Sequence, residues 1–169
     1  LIEDFLRLSR VTRAPIIIDK LDISHIAREI LGQLATSEPD RKVSWKVEDG
    51  LIINGDSGLC EIALKNLIGN AWKYTNKTDG ALIQVGSIMQ GQTKIFFVKD
   101  NGAGFPSDKA NLIFIPLQRL HSHNEFPGNG IGLATVQRIV NRHGGRIWAE
   151  GEVGEGATFY FTFPEGSGQ

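Results

Sequence analysis

The stretch "NLIGNAWKYT" carries Asn66, Asn70, Lys73 and Tyr74. Asn66 and Asn70 are four positions apart, so on a helix they share one face. Lys73 and Tyr74 lie three and four positions beyond Asn70, on the same side one turn on. The remainder of that stripe, including Leu59, Ile62, Ala63, Leu67 and Ala71, is apolar. Two amides on such a stripe need partners. As an isolated pair they fit a polar couple satisfied by backbone or water. An amide oxygen, an ammonium and an aromatic ring in one row also suit a metal ion, phosphates and a base. Mg²⁺ takes oxygen ligands and shares them with phosphate oxygens.

Two glycine-rich turns add to this row. In "IFFVKDNGAGF" an apolar run ends at Asp100, and Gly102 and Gly104 follow. This describes a plain exit from strand to turn. It also describes a fixed acceptor for an exocyclic amine such as adenine N6, with glycines that let a flat base lie against the backbone. The second turn, "GNGIGLA", precedes a helical pattern. Backbone N–H groups at a helix start bind phosphate, and Gly128, Gly130 and Gly132 would allow close approach. The same glycines suggest a dinucleotide site, but no βαβ unit surrounds them and no strand runs directly into them.

The elements that must position these groups follow from periodicity. "IEDFLRLSRVTR" reads as a short or truncated helix stopped by Pro15. "IIIDKLD" suits an edge strand. Asp22 or Ser24 can cap a helix running to about Leu34. "VSWKV" and "LIING" are short strands, and the long helix of the Asn row follows Asp56. "ALIQVGSIMQ" and "TKIFFVKD" form a hairpin around "QGQ". Residues 106–128 lack clean periodicity, apart from one possible helical turn in "SDKANLIF". A helix then ends at Gly144 as its C-terminal glycine. "GRIWAEGEV" and "GATFYFTFP" make a final hairpin. Strands and helices mix without strict alternation, which predicts an α+β two-layer sandwich and not a doubly wound sheet.

The chain has 169 residues, enough for one domain with a core. Its 18 Lys and Arg against 19 Asp and Glu give no long-range attraction to nucleic acid or an anionic membrane. No apolar run approaches the roughly 20 residues of a spanning helix. Cys60 is the single cysteine, so neither a disulfide framework nor a cysteine metal cluster is available, which fits a reducing cytoplasm.

Together these stretches resemble sensor histidine kinases. "NLIGNAWKYT" resembles their N box, "DNGAGF" their G1 box, "IFIPLQRLH" their F box and "GNGIGLA" their G2 box. The closing hairpin is also similar, and order and spacing match across about residues 20–164. The wording "QRLHS" is closest to phytochrome-like and PAS-coupled kinases. The resemblance implies the fold shared with DNA gyrase and related ATPases. That is a mixed, mainly antiparallel sheet under about three helices, with ATP between helices and a lid. It further implies that Asp100 accepts from adenine N6, that Asn70 holds Mg²⁺ with the ATP phosphates, and that Asn66 and Lys73 face the phosphates. Tyr74 would flank the nucleotide, Arg119 would reach the γ-phosphate from the lid, and Thr158 would support the adenine site. Gly102, Gly104, Ile113, Gly128, Gly130, Ile131, Gly132 and Leu133 complete the expected ATP-binding set.

The departures are local. The F box commonly has an acidic residue after its Phe and an aromatic after its Pro, where this chain has Ile115 and Leu117. The second G2 position is usually Thr and here is Asn129. ATPases of this fold place a Glu at the position of Asn66 as a base for water. An amide cannot take that proton, which favours transfer to a protein acceptor over hydrolysis. The expected partners are a phosphoacceptor hairpin in a full-length homodimer and a response regulator. "SHIARE" imitates an acceptor signature, but Ile26 replaces the acid and no Pro follows, so His25 reads as ordinary helix surface. Residues 1–14 read as the end of the acceptor hairpin, 15–164 as the catalytic domain and 165–169 as a loose tail. The competing readings are a stand-alone ATPase or serine kinase of the same fold, and a nucleotide-binding regulatory module without turnover. His121 and His123 are expected to be solvated lid residues, and Cys60 and Trp72 to be packing residues.

Overall fold

In the computed structural model, which describes residues 1–121 and 130–165, a carboxylate starts each of two central helices. Asp22 ends strand β1 (Ile18–Asp22) and accepts from the His25 N–H at the start of α2 (Ile23–Ser37). Asp56 ends β3 (Ile52–Asp56) and accepts from the Leu59 N–H at the start of α3 (Ser57–Tyr74). Each side chain satisfies an N–H that the first helical turn leaves without a partner. Asp56 also accepts from Ile17, and these two N–H groups hold its carboxyl below the usual range.

The preceding helix α1 (Ile2–Arg13) buries Val11, and Arg142 donates to the Val11 carbonyl at 2.7 Å. This ties α1 to α4 (Gly132–Arg142). Strand β2 (Val43–Val47) pairs in parallel with β4 (Ala81–Gln90). The β4–β5 hairpin turns at Gly91, and β5 (Thr93–Asp100) delivers Asp100 at its end. The closing hairpin is β6 (Ile147–Glu152) and β7 (Gly156–Phe161). The five-stranded sheet runs β2-β4-β5-β7-β6, and only the β2–β4 pairing is parallel. β1 and β3 stand apart as an antiparallel pair, a second small sheet that the sequence did not predict.

Alternation on β5 and β7 sends Phe96, Val98, Ala157, Phe159 and Phe161 toward the helices. There they meet Leu67 and Ile68 of α3 and Val136 and Ile139 of α4, all essentially without solvent contact. Each large apolar side chain so buried stabilises the fold by about 1.5–3 kcal/mol relative to exposure. Cys60 and Trp72 lie in this core, as expected of packing residues. Among the described residues no helix is long and apolar enough to cross a membrane.

The expected elements are present with small shifts of boundary. α2 runs three residues past Leu34, and the possible helical turn in "SDKANLIF" is a 3-10 turn, Ser107–Lys109. His143 caps the end of α4, and Gly144 follows with φ 79°. His143 then links two elements. Its Nδ1–H donates to the Ile139 carbonyl, and Nε2 accepts from the Asp56 N–H at 3.0 Å.

Candidate nucleotide site

One cavity of about 230 Å³ lies between the C-terminal half of α3, the end of β5, residues 118–121 and the start of α4. The Asn row of α3 forms its floor. Asn66, Asn70, Lys73 and Tyr74 all line it. The Asn66 amide NH₂ donates to the Ile62 carbonyl one turn back, which turns Oδ1 outward. That oxygen reaches the start of α4, where a Cβ on Gly132 would stand 2.7 Å from it. Gly132 is therefore glycine partly because Asn66 occupies the space of a side chain.

Asp100 supplies the buried carboxylate. It is 4% exposed, and burial pushes its carboxyl up to about 6. The Gly102 and Ala157 N–H groups counter this, with Gly102 donating to Oδ1 at 2.8 Å. The carboxylate is thus ionised at neutral pH and held in one orientation, which makes it a rigid hydrogen-bond acceptor.

Lys73 and Arg119 bring positive charge to the same cavity. Burial lowers the Lys73 ammonium from its ordinary range, and the nearby Arg119 charge lowers it further. The Lys73 Nζ also sits 4.7 Å from the centre of the Tyr74 ring. Tyr74 is raised, first by burial, with Arg119 opposing and Asp100 adding to the rise. Two cations that disfavour one another in a half-buried cleft are relieved by an anion.

The glycines of the first turn serve packing more than ligand approach. A Cβ on Gly102 would lie 2.2 Å from the Tyr74 carbonyl oxygen, and Ala103 donates to that same carbonyl at 2.9 Å. Gly102 does not line the cavity. Gly104, with φ 65°, does line it, but its missing Cβ would meet the Glu152 carbonyl at 2.0 Å. The turn is thereby clamped between the end of α3 and the closing hairpin, and this fixes Asp100.

Ile113, Gly130 and Leu133 line the cavity, whereas Ile131 is buried beside it. Gly128, Asn129 and His123 lie outside the described residues. Thr158 is a correction. It stands in register with Lys99 and Glu150, on the face of β7 turned away from Asp100. Ala157, paired with Asp100, and Phe159 line the cavity instead. The period of two along "ATFYF" holds that signal. His121 is the second correction. It is not a solvated side chain: its Nε2–H donates to the Gly104 carbonyl at 2.8 Å and its ring packs 5.3 Å from Tyr74. Phe105, Gln118 and Leu120 also line the cavity; they lie inside "DNGAGF" and "IFIPLQRLH", but no site role was expected of them. His25 pairs with Glu29 on the exposed face of α2.

The donor set fits Mg²⁺ bound with a phosphate. Among the described residues no cluster of three His, Cys, Asp or Glu exists to hold a metal alone. Asn66 and Asn70 offer neutral amide oxygens, and Mg²⁺ commonly takes one or two protein ligands and completes its shell with phosphate oxygens and water.

The profile of the histidine kinase-, DNA gyrase B-, and HSP90-like ATPase family matches residues 55–167. The chain belongs to that family. Its site is accordingly that of an ATP-binding domain. Over 168 residues the chain is 35% identical to cyanobacterial phytochrome A of Nostoc sp., covering 98% of this chain and 22% of that protein. It is 34% identical to the methanogenesis regulatory histidine kinase FilI of Methanothrix harundinacea, covering 97% of this chain and 18% of that protein. The chain thus spans about a fifth of the length of these curated relatives. The crystal structure of full-length ShkA in complex with AMPPNP superposes with a TM-score of 0.74 at 28% identity, over 98% of this chain and 36% of that one.

Proposed function

We propose that this chain is the catalytic, ATP-binding domain of a sensor histidine kinase, and that it positions Mg·ATP for γ-phosphoryl transfer to a histidine on a separate helical hairpin. One observation carries the reading: a single cavity is lined by a buried carboxylate, two cations and two amides. Asp100 accepts from adenine N6. Lys73 and Arg119 neutralise the phosphates, with Arg119 on the γ-phosphate. Asn70, with Asn66 beside it, holds Mg²⁺, which when bound would spread the charge that develops on the transferring group.

Phosphoryl transfer asks little covalent chemistry of a protein. Placement and charge stabilisation supply most of the rate. Asn66 supports transfer over hydrolysis, because its amide cannot deprotonate water. The names of the relatives support the kinase reading, and the partners it brings are the acceptor hairpin in a homodimer and a response regulator. Helix α1 is the end of that hairpin in this reading, and the domain works in the cytoplasm.

Calorimetry with Mg·ATP, Mg·GTP and inorganic triphosphate tests the site. ATP should bind more tightly than GTP, because guanine presents a carbonyl where adenine presents the N6 donor. Equal binding of ATP and GTP would contradict the role given to Asp100.

A further inference from the structure

The segment that carries Arg119 is fastened on both sides. Two residues before it, the Leu117 N–H donates to the Gly130 carbonyl at 3.0 Å. Leu117 holds φ 69° there, the single non-glycine positive φ among the described residues. A left-handed conformation is unfavourable for a residue with a Cβ. Gly130 lies so close that its own Cβ would stand 3.0 Å from the Leu117 Cα. Two residues after Arg119, His121 donates from Nε2 to the Gly104 carbonyl and packs on Tyr74. Gly104 belongs to the clamped turn that fixes Asp100, and Tyr74 ends the helix against which that turn is clamped.

We propose that His121 is a positioning residue for Arg119: with the Leu117–Gly130 bond it forms a two-point clamp that presents the guanidinium to the terminal phosphate before nucleotide binds. The clamp rests on the ATP-site reading above. Arg119 lines the cavity together with Lys73 and Tyr74, so the presented geometry already faces the nucleotide site. Without the His121 bond, one side of the segment is released. Ordering it then falls to the nucleotide, and a nucleotide that reaches Arg119 is affected most.

The test compares Mg·ATP and Mg·ADP affinity by calorimetry for the wild type, His121→Ala, His121→Gln, Arg119→Ala and the double variant His121→Ala/Arg119→Ala. His121→Ala is expected to lose about three- to tenfold in ATP affinity, the measure of one hydrogen bond, and to lose less in ADP affinity. His121→Gln, whose Nε2 also donates, should restore ATP binding. The double variant should match Arg119→Ala, because His121 acts through that residue. Equal loss of ATP and ADP, failure of Gln to restore binding, or additive losses in the double variant would each overturn the clamp. A wild-type chain that binds neither nucleotide would instead overturn the ATP-site reading on which it rests.

Discussion

Asp100 combines two properties that rarely occur together in a carboxylate, near-complete burial and a direct opening onto a cavity. Burial holds its carboxyl at about 6, above the ordinary 3.8. As a base reader it must be ionised, so adenosine affinity is expected to fall as pH is lowered through about 6. Adenosine is the appropriate probe because it carries no titrating phosphate. A flat profile between pH 5 and 8, roughly the range in which such a group would titrate, contradicts the assignment. The effect on stability has the opposite sense. The folded protein holds this proton more tightly than the unfolded chain, so the contribution of Asp100 to stability is fully present below 3.8 and is lost as pH rises through about 6. Asp100→Asn places a donor where an acceptor is required. It should weaken ATP binding by about 1–3 kcal/mol and leave inorganic triphosphate binding unchanged. Asn70→Ala is a separate case. It should remove the Mg²⁺-dependent part of ATP affinity, and calorimetry with and without Mg²⁺ reads that difference directly. Wild-type Mg·ATP affinity in Asn70→Ala would refute the metal role of this residue.

At the level of elements, a glycine's value depends on what it touches. Gly32 sits within α2, where a methyl group on its Cα would meet nothing within 4 Å. Gly32→Ala should stabilise the protein by about 0.5–1 kcal/mol, because alanine loses less backbone entropy in a helix. Gly102→Ala should destabilise it by about 1–3 kcal/mol, because its methyl would press on the Tyr74 carbonyl and the backbone would have to move. Thermal unfolding of both variants checks the contrast, and a neutral Gly102→Ala would show that the turn is not clamped. The helices and their caps were legible in the sequence because they depend on local spacing: Asp56 followed by an apolar stripe is sufficient. The separate β1–β3 sheet was not legible, since its register, Ile18 with Asp56, joins segments far apart in the chain. Beside Asp100 in the cavity, motif position points to Thr158, whereas strand alternation points to Ala157, and alternation governs which side chain faces Asp100. The contacts of His121 were hidden in a stretch without periodicity, where side-chain placement depends on Gly104 and Tyr74 from other elements.

For the molecule as a whole, the chain provides a nucleotide cavity on one layer of helices and sheet, and the acceptor histidine is expected elsewhere. His25 is exposed on α2 and paired with Glu29. His143 is committed to Ile139 and Asp56, and His121 to Gly104. Each described histidine thus has a partner within the fold. Incubation with ATP labelled at the γ-phosphate, with and without an added acceptor hairpin, tests the central claim most directly. The account predicts no label on the chain alone. It predicts slow, acid-labile and base-stable labelling of a histidine in the hairpin, because docking in trans lacks the effective concentration of a tethered substrate. Label retained on the chain at His25 and lost in His25→Gln would contradict it.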